Sequence, residues 1–170
     1  MDAEARRKQI LTTITKPDAL ITASMLAKSL NVSRQIIVGD IALLRAQGHE
    51  IIATARGYMI PRYKESGQYL GKVACQHSPE NTISELYTIV DLGATIINII
   101  VEHELYGEIT GNLNLTSRDD VEAFMRKVEN LNIKLLSELT FGIHLHTIAC
   151  RDKSHFEQVC EALKAEKFAI

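Results

Sequence analysis

No apolar run in this 170-residue chain approaches the roughly 20 residues that a membrane span requires. The opening stretch MDAEARRKQ is too charged to be the apolar segment of a secretory signal. A soluble, cytoplasmic protein with no membrane partner is therefore expected. The three cysteines, Cys75, Cys150 and Cys160, form an odd count without a CxxC pair. That argues against a disulfide framework and a cysteine zinc knuckle, and leaves three reduced thiols. Internal repeats and low-complexity tracts are absent as well. So are a phosphate-binding glycine loop, a nucleophile elbow and an HExxH pair. Asp91 and Glu108 have the chemistry of bases, but nothing in the sequence pairs them. A non-enzymatic protein is the expectation, with a metalloenzyme the weaker reading.

What is present is unevenly charged. Residues 1–65 carry ten Lys/Arg against six Asp/Glu, a net of +4, while the remainder carries nine against fifteen, a net of −6. A basic front end on an acidic body fits a DNA-binding head joined to an effector domain. The stretch Arg62 to Gly71 (RYKESGQYLG) has the polar, glycine-containing character of a linker. The expected domains are thus 1–62 and 71–170.

The first part reads as three helices and a hairpin. A helix from Ala3 to Ile14 carries Ile10, Leu11 and Ile14 inward and stops before Pro17, which cannot donate to a helical ladder. Thr22 or Ser24 caps a second helix, Ala23 to Leu30, with Leu26, Ala27 and Leu30 inward. Asn31 suits the left-handed turn that follows, and Ser33 caps a third helix, Arg34 to Gln47. Ile37, Ile41 and Leu44 repeat at i, i+4, i+7 on its inner face. Arg34, Gln35, Val38 and Gly39 then fall on the outer face near the helix start, the part of a recognition helix that meets base edges. Arg pairs with guanine O6/N7 and Gln with adenine N6/N7, while Gly39 lets the helix approach the groove. His49 to Ile60 alternates as a hairpin wing with Arg56-Gly57 at its tip.

The run NVSRQIIVGDIALLRAQGHEIIATARGYMI resembles a winged-helix module that opens its recognition helix with V-S-R, ends it with D-I-x-x-L-R-x-x-G, and closes the wing with G-Y-x-I. Val32, Ser33, Arg34, Asp40, Ile41, Leu44, Arg45, Gly48, Ile51, Gly57, Tyr58 and Ile60 carry the match. The candidate DNA-binding residues are accordingly Ser33, Arg34, Gln35, Val38, Gly39, Arg45 and Arg56.

After residue 71 the pattern alternates between strands and helices in the order β-α-β-β-α-β-α. The fold class is α+β: a winged helix-turn-helix followed by a small mixed-sheet α/β domain. Gly71 to Gln76 is a strand that ends in His77, and Pro79 begins a helix whose expected inner stripe is Ile83, Leu86, Ile89 and Val90. Ala94 to Val101 is a strand buried on both faces, Tyr106 to Leu113 a second, and Phe141 to Cys150 another. A helix capped by Ser117 points Val121, Phe124, Met125 and Val128 inward, and a last helix spans Ser154 to Lys164.

On a strand, His144-x-His146 puts two imidazoles on one face about 6.5–7 Å apart, close enough to share one ion. His77 ends another strand and Glu85 lies two turns into the helix that follows; three imidazoles and one carboxylate suit zinc, nickel or iron. A His-x-His pair by itself more often marks two histidines satisfied by ordinary hydrogen bonds.

The whole chain resembles the nicotinate-responsive repressors of NAD biosynthesis and niacin uptake known as the NiaR family, which join a winged helix to a three-histidine (3H) domain. HSPENTISELYTIVDLGATIINIIVEHELYGEITGNL and LTFGIHLHTIAC carry the resemblance. It implies a metal site at His77, Glu85, His144 and His146, with nickel as the ion and nicotinic acid as corepressor. It also matches His103 to the family's remaining histidine, in VEHELYGE, where Glu104 and Leu105 replace the common H-P-x-Y-G pattern while Tyr106 is kept. His103 and Tyr106 are therefore candidate ligand-binding residues. The expected function is a homodimeric repressor that binds operator DNA when nicotinic acid is present. The alternative is a repressor for which the metal is itself the signal.

Overall fold

The computed structural model describes residues 1–170, which divide into two compact units, Met1–Pro61 and Arg62–Ile170.

In the first unit, α1 (Ala3–Ile14) starts where the Asp2 carboxylate accepts from the Ala5 N–H at 2.8 Å. Thr22 caps α2 (Ala23–Leu30) in the same way, and Asn31 ends it in the left-handed region at φ 54°. The Ser33 hydroxyl takes the Ile36 N–H at 3.2 Å and opens α3 (Arg34–Ala46). Ile10, Ile14, Leu26, Ile37, Ile41 and Leu44 form the shared core. Each such side chain taken from water contributes on the order of 1.5–3 kcal/mol. Leu11 and Leu30, expected inside, are only half-buried.

The wing is shorter than expected. Strands β1 (Ile52–Thr54) and β2 (Gly57–Met59) pair antiparallel with Thr54 opposite Gly57, so the two-residue tip is Ala55-Arg56 rather than Arg56-Gly57. Gly57 serves a different purpose. At φ +138° its missing Cβ would stand 2.6 Å from the Ile21 carbonyl carbon. That space lets Tyr58 pair with Ile21, Tyr58 N–H to Ile21 O at 2.8 Å, and docks the wing on the helices.

The second unit contains β3 (Tyr69–Gln76), a 3-10 turn (Pro79–Asn81), α4 (Thr82–Asp91), β4 (Thr95–His103), β5 (Gly107–Leu115), α5 (Arg118–Leu131), a second 3-10 turn (Leu136–Thr140), β6 (Ile143–Cys150) and α6 (Lys153–Ala165). The element order is the expected one, but the sheet is not mixed. Its strand order is β3-β6-β4-β5 and every pairing is antiparallel. The crossover through α4 does leave β3 and β4 parallel, as a helical connection requires. β6 then inserts between them, so no parallel neighbours remain. The C-terminal residues extend the sheet beyond β3: Gln76 N–H bonds to Phe168 O and Ile170 N–H to Ala74 O.

The buried face of α4 is Thr82, Glu85, Leu86, Ile89 and Val90. Ile83, expected inside, is 42% exposed. The helix is rotated so that a carboxylate enters the core where an isoleucine was expected. Around it lie Val73, Cys75, Ile96, Leu115, Ile148 and Leu163.

Candidate functional site

Two sets of residues carry chemistry, one in each unit. On α3, Arg34, Gln35 and Gly39 are exposed, as the register demanded. Val38 leans into the helical core and is half-buried. Ile36, at 42% exposure, takes the outward place instead. Ser33 spends its hydroxyl on the helix cap. Arg45 is tied to the protein: its Nε donates to Ile51 O at 2.8 Å and its guanidinium lies 5.9 Å from the Tyr58 ring centroid. Arg56 is half-buried in the wing tip, its backbone N–H bound to Thr54 Oγ1. Asp40, passed over in the sequence except as a motif position, is 4% exposed and receives Arg6 Nε at 2.6 Å and Nη2 at 3.2 Å. This fork fixes α1 against α3 and so orients the outer face.

In the second unit the strand registers bring three histidines to one carboxylate. His144 and His146 alternate inward from β6, and Cys75 on β3 is the register partner of His144. His77 follows β3 on the same face, and Glu85 descends from α4. Glu85 Oε2 stands 2.6 Å from His77 Nε2 and 2.8 Å from His144 Nε2, and its Oε1 stands 2.8 Å from His146 Nε2. All four side chains are at most 3% exposed.

The far side of each ring decides what this means. His77 Nδ1 faces Ser78 O, His144 Nδ1 faces Gly142 O, and His146 Nδ1 faces Asn98 O, each at 2.8 Å. A carbonyl oxygen only accepts, so each Nδ1 carries the proton. A neutral ring then aims a bare Nε2 lone pair at a carboxylate oxygen, which is repulsive. Such contacts are relieved either by protonation of the rings against the carboxylate, which with all three charged leaves a net +2 in the core, or by a cation among the Nε2 and carboxylate atoms. The first is costly in a buried site. The second is how metal-bound histidines are held, with the other ring nitrogen fixed by a backbone carbonyl. Separations of 2.6–2.8 Å are close to the roughly 3 Å spacing of ligand atoms around an ion with bonds near 2.0–2.2 Å.

His155 shows the contrast. It is equally buried, but its Nε2 donates to Leu92 O and its Nδ1 accepts from the Arg151 N–H, so the backbone satisfies it completely.

Burial works to raise the Glu85 pKa, yet His146, His144 and His77 together outweigh it and hold the carboxyl well below the usual carboxylate range. At His77 burial opposes the charged ring, and the Glu85 carboxylate more than offsets it, raising the pKa. Cys75, absent from the sequence-level ligand set, also borders this cluster. Its burial, and then the Glu85 charge, push the thiol pKa up. Only its position two residues before His77 on the same strand face pointed to it. Asn98 was missed for another reason: its role is through the backbone carbonyl, at a bulge between Ile96 and Asn98.

His103 and Tyr106 stand elsewhere, at the β4–β5 hairpin tip. His103 Nδ1 accepts from the Leu105 and Tyr106 N–H groups, and the two rings are 5.2 Å apart. A cleft of about 370 Å³ lies on the other face of the sheet, where Ala74, Ile100 and Leu145, and Glu102 and Glu108, are register partners with Ile143 beside them; the His144 and His146 side chains alternate to the opposite face. No helix is long and apolar enough to cross a membrane.

Comparison with known proteins agrees with this division. A model described as an HTH domain matches residues 6–59, and one described as a 3H domain matches residues 71–170. The chain is 40% identical over 161 residues to the "Transcription repressor NadR" of Bacillus subtilis (strain 168), covering 94% of this chain and 89% of that protein. It is 38% identical over 167 residues to the "Probable transcription repressor NiaR" of Thermotoga maritima, covering 98% of this chain and 94% of that protein. A helix-turn-helix repressor acts on operator DNA, and a regulator of this kind is not an enzyme. With both domain models matched and nearly the full length of two repressors shared, the chain belongs to the NadR/NiaR family of transcription repressors.

Proposed function

We propose that this repressor senses nicotinic acid through a divalent transition metal held by His77, Glu85, His144 and His146, and that it controls genes of NAD biosynthesis and niacin uptake. The observation that carries the metal reading is the orientation of the three rings, each Nδ1 on a backbone carbonyl and each Nε2 on Glu85. Nitrogen-rich donors with one carboxylate suit nickel, zinc or iron, and nickel is the ion that the family resemblance favours. Bound there, the ion would supply a Lewis-acidic anchor for a carboxylate or a pyridine nitrogen.

The cleft on the opposite face of the sheet has a volume in the range of small-molecule pockets, which supports an organic ligand for this unit without placing it beside the cluster. Nicotinic acid then acts by linkage. A ligand that prefers the DNA-competent state tightens operator binding by its ratio of affinities for the two states. The DNA-competent state is a homodimer, since one recognition helix covers too few base pairs for specificity. Its interface lies in the second unit, where Leu105, Tyr106 and Phe141 are 76%, 72% and 92% exposed at the same end of the sheet. Arg34, Gln35 and Gly39 meet base edges, with Ser33, Val38, Arg45 and Arg56 supporting the helix and wing that present them.

One feature favours the second reading, in which the metal is the signal. Glu102 and Glu108 are register partners at the cleft and oppose an anionic ligand. Metal analysis of the purified protein, followed by thermal shift of the metal-loaded form with and without nicotinic acid, separates the two. Stabilisation of about 2.7 kcal/mol is expected at a hundredfold excess over Kd. Loaded protein that shows no shift and binds operator in response to metal alone supports the second reading; protein that takes up no metal defeats both.

A further inference from the structure

The ring and carboxylate contacts leave a charge imbalance. A divalent ion among three neutral imidazoles and the Glu85 carboxylate carries a net +1 in a site whose side chains are at most 3% exposed. An unbalanced buried charge costs several kcal/mol, so a second anionic donor is to be looked for. One side chain is in position. Cys75 is fully buried, sits directly opposite His144 in the β3–β6 register, and shares its strand face with His77. Its Sγ, a Glu85 carboxylate oxygen and a His144 ring nitrogen all lie within 4.8 Å of one another. Two donors on one ion, at bond lengths near 2.0 Å for nitrogen or oxygen and 2.3 Å for sulfur, are at most about 4.3 Å apart. The observed spacing meets that requirement to within about half an ångström.

The usual fate of a buried free cysteine is to pack as a small apolar residue. Cys150 is such a case, deeply buried at the other end of β6 opposite Tyr69. Cys75 belongs to the same core cluster, but a Glu85 carboxylate oxygen and a His144 ring nitrogen also stand within 4.8 Å of its sulfur.

Resting on the metal reading above, we infer that Cys75 is a further donor to the same ion, bound as thiolate, so that the centre is a nitrogen, oxygen and sulfur set with no net charge. As the sulfur–metal bond forms, the thiol proton leaves to solvent. A thiolate among the donors selects late, borderline-soft ions such as nickel, cobalt and zinc over magnesium or manganese.

The test is a cobalt(II) titration of the full-length, chelator-stripped protein, followed in the visible and near-ultraviolet, with Cys75→Ser, Cys75→Ala and Cys150→Ser beside it. The wild type and Cys150→Ser are expected to show a near-ultraviolet sulfur-to-metal charge-transfer band that saturates at one cobalt per chain. The two Cys75 variants should keep the visible cobalt bands, lose the charge-transfer band, and bind at least tenfold more weakly. Cobalt bound by the wild type without a sulfur band overturns the assignment of Cys75 and leaves the four-residue site standing. A sulfur band retained in Cys75→Ser overturns it too. No cobalt uptake by the folded wild type overturns the metal reading itself and the Cys75 assignment with it. Should both Cys75 variants fail to fold, the wild-type spectrum alone decides.

Discussion

Gly142 packs against His77 so closely that a Cβ on it would lie 2.2 Å from the His77 carbonyl oxygen, while its own carbonyl accepts the Nδ1 proton of His144. One glycine, at φ +88°, thus sets the position of one imidazole and the orientation of another.

Gly142→Ala is therefore expected to disturb the cluster without touching any donor atom. The alanine must adopt a left-handed conformation and push the His77 backbone away, at a cost on the order of 1–3 kcal/mol. Thermal unfolding should show the loss, and metal affinity measured by competition with a chelator should fall about 10–100-fold, as when an outer support of a metal ligand is lost. Unchanged affinity would mean that His77 is not held by this contact.

His144→Ala removes one imidazole and should weaken metal binding; His144→Ala with His146→Ala removes the whole contribution of β6 and should abolish it. Bound metal per chain, read by elemental analysis, checks both. Operator binding that depends on nicotinic acid should disappear with the metal, while weak nonspecific DNA binding survives. A double variant that still responds to nicotinic acid would show that these residues are structural.

Arg34→Ala should cost about 1–3 kcal/mol of operator affinity through one lost base-edge contact. The fold should be unaffected, because Arg34 is exposed and outside the Ile37, Ile41, Leu44 stripe. A gel-shift titration at fixed salt measures it, and full affinity would mean that the helix meets DNA in another register.

Asp40→Ala should loosen α1 from α3 by releasing Arg6 and Arg7, whose guanidinium groups lie 2.6 and 3.5 Å from the Asp40 carboxylate. A lower denaturant midpoint for the winged helix is the expected result, with operator affinity reduced although no base contact is lost. Asp40→Asn, which keeps the shape and one acceptor, should fall between the variant and the wild type.

Residues 62–170 alone should sediment as a dimer at micromolar concentration, with Phe141→Ser shifting the equilibrium towards monomer. A monomeric unmodified fragment would move the interface out of this unit.

How much of this was legible beforehand follows from the range of each interaction. Helix starts and ends are local: Asp2, Thr22, Ser33, Ser117 and Asp152 each satisfy an N–H three residues on, and Asn31 closes its helix within one turn. The inner stripe of α3 is likewise a matter of 3.6-residue periodicity, so Ile37, Ile41 and Leu44 were found from spacing alone. The four clustered residues were named from spacing and resemblance, because a His-x-His pair on a strand shares a face wherever the strand is placed.

What only the tertiary structure decided depends on contacts between distant segments. The inward rotation of α4 sends Glu85 into the core and Ile83 to the surface, against a hydrophobicity pattern that ranked them the other way. The insertion of β6 between β3 and β4 makes the sheet antiparallel and sets Cys75 beside His144, sixty-nine residues apart in sequence. Val38 and Arg45 turned towards the protein because partners in the core and the wing were available to them. Sequence thus determined the helices, their capping and the identity of most polar residues in the cluster. The orientation of each imidazole, the backbone carbonyl that fixes it and the thiol that joins it exist only once the strands are in register.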